Sequence, residues 1–137
     1  MEIKFSAIAL LAVIASEQAH AAMLTDAEAT FLDQLVTAAA VLNQRCAGYE
    51  VDGTGGVQHG ARLLGSTNAA MAMIAAFDAA IKAHDGEGYD LNKFRPEVFE
   101  AASKTAKRLQ ADLIKNPAGA CADYGSISVS RGLLRRY

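Results

Sequence analysis

Residues 43–60, NQRCAGYEVDGTGGVQHG, divide the chain: a helical pattern ends there, a glycine-rich run begins, and Cys46 sits at the junction. Upstream, Leu24, Phe31, Leu35, Ala38, Ala39, Leu42 and Cys46 recur at intervals that place them on one helical stripe, at ~100° per residue. Thr25 followed three residues later by Glu28 forms a capping box, in which each side chain satisfies a backbone N–H left unpaired by the first turn. Asp26 and Glu28 also suit the positive end of the helix dipole. Gly48 is the expected stop, because glycine accepts the left-handed conformation that ends many helices.

The role of Cys46 depends on the compartment. The chain opens MEIKFSAIALLAVIASEQAHAAM, a positive start at Lys4, an apolar run from Ala7 to Ala15, and small residues at Ala19 and Ala21. This pattern predicts a secretory signal peptide over 1–21 and a single helical domain over 22–137, and hence a periplasmic or secreted location. The apolar run is about half of the ~20 residues a spanning helix requires, so no membrane anchor is expected after cleavage. An exported protein with two cysteines usually pairs them, and the chain contains Cys46 and Cys121 alone. With no Cys-x-x-Cys and no histidine at ligand spacing, a metal role is disfavoured. A catalytic thiolate needs an electropositive, partly exposed setting that an apolar helix face does not offer. A structural disulfide between Cys46 and Cys121 is therefore expected, with pairing between two chains as the alternative.

A second helix begins near Val57 or at Ser66-Thr67, and the apolar face of Leu63, Thr67, Ala70, Ile74, Phe77 and Ile81 favours the earlier start. His84-Asp85-Gly86 closes it. Pro96 opens a third helix, since proline suits a first helical position, and Asn116-Pro117 ends it. Its inward stripe includes Val98, Phe99, Ala102, Leu109 and Leu113. The remainder, AGACADYGSISVSRGLLRRY, carries no helix of normal length and reads as an irregular tail, with Leu133 and Leu134 covering a gap in the core. The expected architecture is all-α: a small bundle of three helices, or alternatively four, with an irregular C-terminal tail and one disulfide as a staple.

Charge narrows the function. The whole chain has 13 Lys and Arg against 15 Asp and Glu, a net charge of −2. No clustered basic surface is evident, so no nucleic-acid partner is expected. VDGTGGVQHG lacks the lysine of a phosphate loop and reads as a flexible turn. HDGEGYDLNKF resembles a calcium-binding hand until the register is counted. From Asp85, the position requiring glycine holds Asp90, and the twelfth holds Pro96 in place of a bidentate glutamate. His59, His84, Ser66, Asp52 and Asp85 can be drawn as a hydrolase triad, but no Gly-x-Ser-x-Gly elbow supports one. No catalytic residue, metal or cofactor is expected. Candidate ligand or interaction residues are Asp52, Thr54 and His59 in the first loop, and Asp85, Glu87 and Asp90 in the second. Asp78, on the flank of the second helix, is a boundary carboxylate.

A signal peptide, a small helical domain and two distant cysteines make a layout similar to that of periplasmic acid-stress chaperones of the HdeA type. Those proteins carry an aromatic beside the first cysteine and a shorter span between cysteines, whereas Arg45 precedes Cys46 here, so no residue is carried over. The leading expectation is a non-enzymatic exported module that binds a protein or a small molecule. A chaperone-like stress protein is the alternative, and a small secreted hydrolase ranks third for want of an acid/base pair.

Overall fold

The computed structural model describes residues 23–137. The expected signal peptide lies outside the described residues. Five helices and a two-stranded ribbon follow in the order α1, β1 (Tyr49–Val51), α2 (Gly53–Leu64), α3 (Thr67–His84), α4 (Pro96–Lys115), α5 (Pro117–Ser130) and β2 (Leu134–Arg136). Helix α1 is continuous but composite: an α-helical stretch Asp26–Leu35, a π-helical segment Val36–Leu42 and a closing turn Asn43–Arg45.

Helix α1 begins at the expected capping box, with Glu28 N donating to Thr25 Oγ1 at 3.1 Å and Thr25 N to Glu28 Oε1 at 3.0 Å. Near its middle the Thr37 hydroxyl donates to the Asp33 carbonyl at 2.7 Å, a back-bond of the kind that often bends helices. The helix widens from Val36 onward, and Asn43 N closes on the Ala38 carbonyl five residues back. A π segment turns more slowly than 3.6 residues, so the buried surface spreads beyond the expected stripe. Val36, Thr37, Ala38, Val41 and Leu42 are all buried, and Leu32 joins them one turn earlier. The helix ends at Arg45, earlier than expected, and Gly48 takes its positive φ of 87° in the turn leading to β1.

The expected second helix is two helices. Asp52 caps α2 through its side chain, Oδ1 accepting from Gly55 N at 2.9 Å. Gly65, at φ 89°, ends α2, and Ser66 Oγ accepts from Ala69 N to start α3. The two axes meet at 116°. The start at Ser66-Thr67 is therefore a cap of its own, the earlier helix begins at Gly53 rather than near Val57, and the glycine-rich run read as a flexible turn is helical. Its glycines serve contact: a Cβ on Gly55 would overlap the Gly132 carbonyl, and one on Gly60 would overlap the Phe31 ring.

Helix α4 spans the expected Pro96–Lys115, with Val98, Leu109 and Leu113 buried. The tail departs from expectation. Asn116 caps a 14-residue helix, α5, its Oδ1 accepting from Gly119 N. This helix lacks an apolar stripe because its inner face is made of small residues: Ala120, Gly125 and Ser128 are buried. Tyr124 Oη donates to Asp112 Oδ2 at 2.7 Å and ties α5 to α4, a bond that holds the phenol above its usual range. Beyond α5, Leu133 and Leu134 are buried as expected, and β2 pairs antiparallel with β1, Glu50 opposite Arg135 and Tyr49 opposite Arg136.

The disulfide is present. Cys46 at the end of α1 is joined to Cys121 on α5, with Cα atoms 5.7 Å apart. The protein is thus a small, mostly helical domain with one internal staple. Among the described residues no single helix is long and apolar enough to cross a membrane; α2 and α3 reach that composition only as the bent pair.

Candidate functional site

Two hollows flank the π segment. The larger, about 340 Å³, opens between α1, the first turns of α2, and α3. Its walls are apolar: Leu35, Ala38 and Ala39 from α1, Val57 from α2, and Ile74 and Phe77 from α3. Alanines at 38 and 39, within the π segment, leave the space open on this side of the helix. Asp52 and Asp78 line it as well, and they are the ionisable residues among its lining. The smaller hollow, about 180 Å³, lies on the other side, between α1, α3 and α4. Val36, Val41 and Phe99 meet polar groups there from Gln44, His84 and Ser103. Phe77 and Ile81 contribute to both walls and form the partition between them.

The structure separates the candidate residues chosen from sequence. Asp52 caps α2 and faces the larger cleft. Thr54 is exposed on the first turn of α2. His59 is half-buried beside Phe31, with Nε2 against Gln34 Oε1, a carbonyl oxygen that can only accept. Burial lowers the His59 pKa, and the Arg62 and Arg131 charges lower it further. Asp85 caps the end of α3 and meets His84 Nδ1 at 3.2 Å. Glu87 and Asp90 are exposed in the following turn, where Asp90 Oδ1 accepts from Asn92 N. Ser66 is engaged in capping α3, and Ser103 Oγ donates to the Phe99 carbonyl. Among the described residues, no group of three His, Cys, Asp or Glu side chains is arranged to hold a metal ion.

Sequence reasoning thus reached Asp52 and placed Asp78 on a helix flank, where it pairs with Lys82 at 3.0 Å in solvent. It missed Val57 as part of the wall, and gave Ala38 and Ala39 only as part of an inward stripe. Ile74 and Phe77 were legible as an inward face, but not as the lining of a hollow. A π segment has no sequence signature that period counting detects; Thr37, able to bond back to Asp33, is the sole local sign.

The fold and this cleft define a small, disulfide-stapled helical domain with an apolar binding-sized hollow. Comparison with protein-family models, with curated proteins and with solved structures returns no match for the chain.

Proposed function

We propose that this chain is an exported, non-enzymatic binding module that holds a small apolar molecule in the cleft beside the π segment. The observation that carries this reading is the cleft itself, apolar-walled and about 340 Å³, within the ~300–1,000 Å³ range of small-molecule sites. A π segment in its wall adds support, since such distortions gather at functional sites. The internal disulfide and the pattern of residues 1–21 support export.

The test is titration of the mature protein with N-phenyl-1-naphthylamine, a neutral probe that brightens in apolar surroundings. Saturable one-to-one binding is expected, lost in Ala39→Phe, which fills the cleft, while the far-UV spectrum and melting temperature stay unchanged. Absence of saturable binding, or equal binding by the filled variant, sinks the proposal.

A second reading, an acid-responsive chaperone, draws on His59. Its protonation would place a third positive charge beside Arg62 and Arg131 at the contact between α2 and α1. Acidification should then expose apolar surface and collapse the near-UV spectrum; a spectrum unchanged through acid pH removes this reading.

A further inference from the structure

The cleft also carries a charge preference. We propose that its ligand is a cationic amphiphile, an alkyl- or arylammonium compound whose apolar body lies between α1 and α3 and whose ammonium faces Asp52 and Asp78. This inference rests on the cleft being a binding site. It follows from the lining, where the apolar wall is interrupted by two carboxylates and by no cation.

Each carboxylate is available to a ligand. Asp52 commits Oδ1 to the Gly55 amide and has no ion-pair partner among the described residues. Asp78 pairs with Lys82, but the two side chains are 59% and 44% exposed, and Lys82 does not line the cleft. A solvated pair of that kind holds its partner weakly. One opposing effect must be weighed: the first turn of α2 opens on the same cleft, and a helix N-terminus attracts anions. It contributes about half a positive charge, which Asp52 already answers as the cap, and the solvated Lys82 offsets only part of Asp78, so the cleft keeps a net negative charge. The acids win. An anionic amphiphile such as a fatty-acid carboxylate would meet like charge at Asp52 and Asp78.

Three probes of one chain length separate the possibilities: n-octylammonium, 1-octanol and octanoate, each titrated by calorimetry into the mature, oxidised protein at low salt. Octylammonium should bind about tenfold more tightly than octanol, with octanoate weakest, and raised salt should shrink the spread. In Asp52→Asn/Asp78→Asn the preference should vanish while octanol affinity persists. Asparagine caps a helix as well as aspartate does, and Asp78 is exposed, so the variant keeps its fold, as an unchanged melting curve would show. Equal binding of octylammonium and octanol overturns the inference while leaving the cleft a binding site. So does tighter binding of octanoate, or an ammonium preference that survives in the double variant. Failure of all three to bind overturns this inference together with the cleft reading beneath it.

Discussion

Gly60 of α2 lies flush against the ring of Phe31 in α1, so that the α2 backbone rests where a side chain would otherwise separate the helices. Phe31 is fully buried, and a Cβ added at Gly60 would also crowd the Ala70 Cβ of α3, so two packed neighbours would have to shift. Gly60→Ala should therefore destabilise the fold by about 1–2 kcal/mol: overpacking costs roughly 1–3 kcal/mol, and the better helix propensity of alanine returns up to about 1 kcal/mol. A lower urea midpoint at unchanged slope is the expected signature. Gly88→Ala, with open space around it, should change stability by no more than about 0.5 kcal/mol.

The disulfide ties the end of α1 to α5 across 75 positions. The inner face of α5 is made of small residues, Ala120, Gly125 and Ser128. Loop closure of this length stabilises by about 4 kcal/mol on the chain-entropy account. For a domain of this size Cys46→Ala/Cys121→Ala should lower the melting temperature by roughly 15 °C. Reductant should lower the wild-type midpoint similarly and leave the variant untouched. A variant that melts with the wild type would show that packing alone seats α5.

His59 gives stability a pH dependence of known sign. Its pKa in the fold is lowered from 6.5, by burial first and then by Arg62 and Arg131. The unfolded chain therefore binds the proton more readily, and folding stability falls with acidification. The contribution is intact above the unfolded value of 6.5 and is lost as pH drops from there towards the lower folded value. Urea midpoints across that window should decline in the wild type and decline less in His59→Gln. Parallel slopes would place the acid sensitivity elsewhere.

Much of the fold was legible because it is local. The Thr25 and Glu28 capping box, the start at Pro96 and the stop at Asn116 depend on atoms within a few residues of each other. The burial of Phe31, Leu35 and Leu42 followed from period counting. The Cys46–Cys121 bond was legible from the export pattern and from there being two cysteines in the chain.

What stayed hidden depends on partners distant in sequence. VDGTGGVQHG reads as a turn because glycine weakens an isolated helix. Here Asp52 starts a helix, and Gly55 and Gly60 permit it to settle against Gly132 and Phe31. Likewise ACADYGSISVS has no apolar stripe of its own, and becomes helical where Tyr49 fits against Gly125 and Cys121 is bonded to Cys46. The cleft is the most tertiary feature of all. Ala38 and Ala39 were legible as part of an inward stripe, and become the wall of a hollow only where α1 stands apart from Ile74 and Phe77. The sequence alone determined where α1 and α4 begin, which of their faces are apolar and which thiols pair, since those depend on local hydrogen bonds and on composition. Only the tertiary structure decided which glycines are contact surfaces and where apolar walls fail to meet, because both are properties of the distance between elements.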